Sequence, residues 1–85
     1  MSDFDDVIEL IHQTRDKQML VDLLYGLTTP KERHEFARRI DVVSQLIQGV
    51  PQLRIAQDLG VGVATVTRGS KELSLGRFKI LRRQR

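Results

Sequence analysis

Five side chains able to hydrogen-bond, Thr65, Thr67, Arg68, Ser70 and Lys71, fall within the run LGVGVATVTRGSK (residues 59–71), and no carboxylate interrupts them before Glu72. Hydroxyls bond to bases or phosphates, the methyl groups of alanine and threonine touch a thymine methyl, and arginine reads guanine. This is the chemistry of a helix that enters a DNA groove. A phosphate-cradling loop is the competing reading of the glycines, but the run lacks G-x-x-x-x-G-K-[ST] and follows no strand pattern. Catalysis has little support. Ser70 has no evident base, His12 and His34 lie in different predicted helices without metal-ligand spacing, and the chain has no cysteine for thiol chemistry. No enzyme activity and no metal site are expected, and both histidines are expected on exposed helix faces.

A groove-reading helix has to be held at a steep angle by a second one. That pairing needs a small residue where the helices cross, a glycine in the turn and an apolar core between them. Residues 52–69 supply each part: Ala56 at the crossing, Gly60 in the turn, and Ile55, Leu59, Val61 and Val66 as core. Ala64, Thr65, Thr67, Arg68 and Lys71 are left facing outward. Val61, Val63 and Val66 also restart an apolar face after Gly60. Three valines and two threonines make Val61 to Thr67 poor intrinsic helix material, so a strand is locally admissible there. An ordinary helical hairpin is the plain structural alternative.

The preceding chain reads as three further helices. Ser2 with Asp5 resembles a capping box, followed by Phe4, Val7, Ile8 and Ile11 at helical spacing, which predicts a helix over about 3–14. Met19, Leu20, Leu23 and Leu24 form a second stripe that Gly26 is expected to end. Thr29-Pro30-Lys31-Glu32 is the clearest helix start: Thr29 caps, Pro30 suits the first position and Glu32 completes the box. The third helix carries Phe36, Ile40, Val43 and Ile47 on one face and stops at Gly49, before Pro51. Tyr25 and Phe36 are expected as core or dimer contacts. The segment SLGRFKILRRQR is expected to form a last basic helical turn or to fray.

Eighty-five residues bound the answer to one domain spanning 1–85, with a core thin enough that oligomerisation would help it. The net charge of +3 is unevenly spread. Residues 1–25 hold six acidic and two basic side chains, whereas residues 71–85 hold six basic ones against Glu72 alone. The basic end suits a polyanion. An acidic start, short apolar runs and no cysteine predict a soluble cytoplasmic protein that does not span a membrane.

The pieces LTTPKER (27–33), RRIDVVSQLIQG (38–49) and above all LGVGVATVTRGSKEL (59–73) resemble the tryptophan repressor family, over about residues 20–73. The resemblance implies an all-α, intertwined homodimer with a helix-turn-helix at about 52–69, binding double-stranded operator DNA when L-tryptophan is bound as corepressor. It needs no other cofactor. Arg39 and Arg68 match the two arginines that sandwich the indole, a task suited to guanidinium planes, and Arg68 also faces the ligand carboxylate. Gly69 matches a position where a side chain would meet the ring, Thr65 lines the pocket, and Thr29 belongs to the segment given by the partner subunit. The implied DNA-facing set is Gln52, Arg54, Gly62, Val63, Ala64, Thr65, Thr67, Arg68 and Lys71.

The chain departs from that pattern in places. Glu72 stands where the best-known members carry a serine near the ligand's amino group, and its carboxylate is able to attract an ammonium. Leu53 replaces a basic residue after Gln52, and Gly49-Val50-Pro51 is one residue shorter than the usual turn. The basic segment 77–85 stands in place of a longer amphipathic helix and is expected to add sequence-independent phosphate contacts. Two other readings stay open on sequence alone: a related DNA-binding regulator without a tryptophan response, and a helical module whose acidic first helices dock a basic protein.

Overall fold

The computed structural model describes residues 3–83, and these form six α-helices with no strand among them. They run α1 (Phe4–Gln13), α2 (Lys17–Leu27), α3 (Pro30–Ile47), α4 (Gln52–Leu59), α5 (Val63–Ser74) and α6 (Lys79–Arg83). By its internal contacts the chain divides into two compact units, one ending at Arg33 and one beginning at His34.

In the N-terminal unit, α1 starts one residue later than the sequence suggests. Ser2 lies outside the described residues, and the capping box is closed by Asp3 and Asp6, each accepting from the other's backbone N–H at 3.2 Å. Asp16 caps α2 through the N–H of Gln18. Gly26 does not end that helix. Its φ is not positive, α2 continues through Leu27, and the extended backbone of Thr28 stops it, with the Thr28 hydroxyl donating back to the Leu24 carbonyl at 2.6 Å. Arg33 then closes the connection to α3, donating to the Thr28 carbonyl at 2.7 Å and stacking over the Tyr25 ring at 4.1 Å. The α3 start is as the sequence indicates: Thr29 Oγ1 accepts from Glu32 N–H at 3.1 Å, and Glu32 Oε1 accepts from Thr29 N–H at 2.8 Å.

Neither α1 nor α2 contains a buried residue. Of the two stripes, Val7, Ile11, Leu20, Leu23 and Leu24 are half-buried, while Phe4, Ile8 and Met19 are exposed, as are Leu10, Val21, Tyr25 and Leu27, so much apolar surface of α1 and α2 stays open in the protomer. Tyr25 is not a core residue here, and neither is Phe36.

The C-terminal unit holds the core. Val42, Ile55, Ala56 and Val66 form one buried cluster, with Leu46, Val50, Leu59 and Val61 packed around it, and Val43 is buried as well. On α3, therefore, the inward pair is Val42 and Val43, while Phe36 and Ile40 remain exposed. Gly49 (φ 87°) ends α3 and Gly60 (φ 65°) ends α4, each in the left-handed region that glycine enters without a Cβ clash. Arg38 donates to the Leu59 carbonyl, fastening the end of α4 to α3. The valine- and threonine-rich segment is helical: Val66 is fully enclosed by α3 and α4, and that burial outweighs its weak intrinsic preference. Val63, however, is exposed rather than part of the apolar face.

After α5 the chain turns back through Gly76 (φ 90°) and Phe78 (φ 63°), with Arg77 N–H donating to the Glu72 carbonyl at 3.0 Å. Phe78 is the sole non-glycine residue at positive φ among those described, a placement costing on the order of 1 kcal/mol. The last segment is a single helical piece, α6, whose Arg82 donates to the Leu73 carbonyl at 3.0 Å.

Candidate functional site

A cavity of about 440 Å³ opens within the C-terminal unit, lined by Arg39, Val42 and Val43 of α3, by Thr65, Arg68, Gly69 and Glu72 of α5, and by Arg77 and Phe78 of the following turn. Positions 65, 68, 69 and 72 share one face of α5 because they are spaced three and four apart. Positions 39, 42 and 43 do the same on α3. The result is an apolar floor of valine methyls between walls that carry guanidinium groups, a combination suited to a flat apolar ring bearing an anionic group.

Gly69 faces α3. A Cβ there would lie 3.4 Å from Val42 Cγ1 and 3.5 Å from Leu46 and Val43 methyls. Those are ordinary contact distances, so helix packing by itself does not require glycine. Arg39 is also 4.0 Å from Glu35, one turn back on α3. That pair is exposed and contributes little, leaving the Arg39 guanidinium available to the cavity.

Five of the six residues expected at an effector pocket, Arg39, Thr65, Arg68, Gly69 and Glu72, thus line one cavity. Thr29 does not: it is the N-cap of α3 in the other unit. Sequence reasoning missed Val42, Val43, Arg77 and Phe78 as cavity residues. Val42 was foreseeable, since i and i+3 from Arg39 share a face. The two turn residues were not, because their place depends on the turn after α5, where Gly76 and Phe78 are both at positive φ and Arg77 N–H donates to the Glu72 carbonyl.

Glu72 carries the least satisfied group of the site. Its Oε2 is shut off from solvent and accepts no hydrogen bond, and its nearest cation, Arg77 Nε, is 4.0 Å away. That separation is an ion pair but not an N–H···O bond.

The outer side of α5 has a different character. Gly62, Val63, Ala64, Thr65, Thr67, Arg68 and Lys71 are all exposed. Gly62 is the residue before the helix, and no side chain caps the first turn, so early N–H groups of α5 remain available to an outside acceptor. Gln52 is half-buried and accepts a hydrogen bond from the Thr67 hydroxyl at 3.0 Å, which ties the two polar residues of α4 and α5 together. Arg54 projects from α4 in a loose, exposed pair with Asp58 at 3.6 Å. Lys79, Arg82 and Arg83 add exposed positive charge on α6. His12 and His34 are exposed, as expected, and among the described residues no three histidine, aspartate or glutamate side chains are grouped as a metal site. No helix among those residues is long and apolar enough to cross a membrane.

The fold and site define an all-α protein in which a ligand-sized cavity with basic walls backs directly onto an exposed, uncapped, polar helix. The family described as Trp repressor protein matches residues 2–82. The chain belongs to that family. It is 43% identical over 72 residues to the Trp operon repressor homolog of Vibrio campbellii, covering 84% of this chain and 72% of the relative. The Trp operon repressor homolog of Vibrio cholerae is 42% identical over 73 residues (85% and 71%), and that of Aliivibrio salmonicida 44% identical over 73 residues (85% and 68%).

Proposed function

We propose that this chain is a cytoplasmic, homodimeric, sequence-specific DNA-binding repressor of transcription that takes L-tryptophan as corepressor and acts on operons of tryptophan metabolism. One observation carries the reading: the cavity residues Arg39, Thr65, Arg68, Gly69 and Glu72 include four from the same helix that presents Ala64, Thr67 and Lys71 outward. In this reading α4 and α5 form the helix-turn-helix, α5 enters the major groove, and the whole of 1–85 is one functional domain. The uncovered apolar faces of α1 and α2 support the dimer, since a stable partner surface has to bury them.

The indole stacks between the guanidinium planes of Arg39 and Arg68 over the floor of Val42 and Val43. Arg68 takes the carboxylate, and Thr65 and Gly69 set the width of the slot. Thr29 reaches the ligand from the partner subunit. Gln52, Arg54, Gly62, Val63, Ala64, Thr65, Thr67, Arg68 and Lys71 face the operator. A ligand wedged against α5 fixes its position relative to α3, and it favours the DNA-binding arrangement only by binding that arrangement better than the other. In a two-fold dimer the two recognition helices then enter successive major grooves, roughly 34 Å apart.

The test uses the ligand's own fluorescence, because the chain contains no tryptophan. Titrating the protein into free tryptophan gives a saturable change in emission that Arg68→Ala abolishes. Selection from a random duplex pool, with and without millimolar tryptophan, recovers a palindromic site only with it. Lys71→Ala weakens duplex binding and leaves tryptophan affinity unchanged; equal loss of both functions in that variant contradicts the division of roles. An acidic residue, Glu72, in the cavity lining favours one second reading, a DNA-binding regulator without a tryptophan response. Palindrome recovery independent of tryptophan, with no emission change, selects it.

A further inference from the structure

Seven of the nine residues lining the cavity belong to α3 and α5; the other two, Arg77 and Phe78, belong to the turn that follows. Phe78 supplies the only aromatic ring of that lining and is half-buried. Its φ of 63° lies in the left-handed region, which a residue with a Cβ enters only at a cost in free energy. Hydrogen bonds hold the backbone there from both sides. Before Phe78, Gly76 N–H donates to the Leu73 carbonyl and Arg77 N–H to the Glu72 carbonyl, each at 3.0 Å. After it, Leu81 N–H donates to the Phe78 carbonyl at 3.0 Å, Lys79 Nζ to the Gly76 carbonyl at 2.8 Å, and Arg82 to the Leu73 carbonyl at 3.0 Å. A strained residue persists only where its surroundings fix it in this way. Glycine would make the same turn without the cost, so what phenylalanine adds is its ring, and the ring lies in the cavity wall.

We propose that Phe78 is a residue of the effector site: its ring adds a third side to a slot otherwise built from two helices and packs against the ring of an aromatic effector, with α6 as the brace that keeps it there. Two aromatic rings gain from offset or edge-to-face contact beyond the area they bury, a gain that the valine floor does not offer. The cavity, at about 440 Å³ with Phe78 in its wall, keeps the size of a small-molecule site, so the ring bounds the slot and does not fill it. This role rests on the effector reading above, and it assigns part of the site to a segment outside the two helices that carry the rest.

The experiment compares the full chain with Phe78→Gly, Phe78→Ala and Phe78→Tyr by thermal unfolding and by fluorescence titration of tryptophan. The glycine and alanine variants both lose the ring but differ in backbone strain, so Phe78→Gly should melt several degrees above Phe78→Ala. Their affinities for tryptophan should nevertheless fall together, by about tenfold, while Phe78→Tyr, which keeps the ring, stays within about threefold of the unmodified chain. Circular dichroism checks that all three keep their helices. Affinity that Phe78→Gly retains and Phe78→Ala loses would make Phe78 a support of the turn and not a contact of the effector. Unchanged affinity in both removes Phe78 from the site while the effector cavity stands. Equal melting of the two variants denies the left-handed backbone on which the placement of the ring depends. Failure of the unmodified chain to bind tryptophan saturably overturns the effector reading and the role of Phe78 with it.

Discussion

Val63 and Val66 are three residues apart on α5, identical in type and similar in sequence context, yet they should respond oppositely to the same change. Val66 is 0% exposed and sits in the cluster with Val42, Ile55 and Ala56; Val63 is 46% exposed at the start of the helix. Val66→Ala removes two methyl groups' worth of burial, about 1.6 kcal/mol at ~0.8 per methylene. The void left, on the order of 50 Å³, adds about 1 kcal/mol at ~24 cal/mol per Å³ if it does not collapse. Alanine's better helix propensity returns about 0.6 kcal/mol. The net is about 2 kcal/mol, which in a domain this size lowers Tm by roughly 8–16 °C. For Val63→Ala the lost burial is about half as large, ~0.8 kcal/mol, nearly offset by the same propensity gain, so Tm should move by no more than a few degrees. Its effect should instead be on duplex affinity, by removal of an apolar contact worth about 1 kcal/mol or less to a thymine methyl. Thermal unfolding followed at 222 nm and a duplex titration separate the two variants. Equal Tm shifts would refute the assignment of Val66 to the core and Val63 to the outer face.

Three further outcomes follow from the same geometry. Gly69→Ala places its Cβ at 3.4–3.5 Å from Val42, Leu46 and Val43, ordinary contact distances, so the protein should stay folded with a Tm unchanged or slightly raised by propensity, while tryptophan affinity falls at least about tenfold; unaltered affinity removes Gly69 from the ligand wall. Replacing Lys79, Arg82 and Arg83 together by glutamine should lower the slope of log affinity against log salt by up to about 2.7 per protomer; an unchanged slope denies α6 any phosphate contact. Thr29→Ala removes the acceptor for the Glu32 N–H at the start of α3 and should cost about 1 kcal/mol, read as a Tm fall of roughly 4–8 °C.

What was legible in the sequence was what local chemistry decides. Thr29, Pro30 and Glu32 name their own helix start, and Gly49 and Gly60 name their turns, because each rests on a hydrogen bond or a φ value that few residues satisfy. The cavity residues Arg39, Thr65, Arg68, Gly69 and Glu72 were legible through the resemblance of residues 38–49 and 59–73 to the tryptophan repressor family, not through periodicity. What periodicity could not say is what covers a face. Of the stripes on α1 and α2, Val7, Ile11, Leu20, Leu23 and Leu24 are half-buried, whereas Phe4, Ile8 and Met19, like Phe36 and Ile40 on α3, read as inward and are exposed in the protomer. Gly26 misled because a glycine near a helix end permits a left-handed cap without requiring one. Arg77 and Phe78 were illegible because the turn after α5 that places them, with Gly76 and Phe78 both at positive φ, has no signature at Phe78 that sequence reveals.

The placement of both chemistries on α5 bears on how one can govern the other. At about 100° per residue, Thr65, Gly69 and Glu72 lie on one side of the helix axis, Val66 and Leu73 on a second, and Ala64, Thr67 and Lys71 on a third. Arg68 falls at the border between the cavity side and the outer side, the position from which one long guanidinium reaches either. Gly69 falls at the border between cavity and core, which is why its missing Cβ points at Val42 and Val43. A rigid helix with a core face, a cavity face and an outer face cannot move for one without moving for the others. The core side is small, with Val66 the only fully enclosed residue of α5, so only a modest free energy fixes where the helix lies. On the proposed reading, a ligand of ordinary affinity filling the adjacent slot is therefore of the right magnitude to redirect the outer face. A larger core would hold α5 too firmly for a small molecule to shift it.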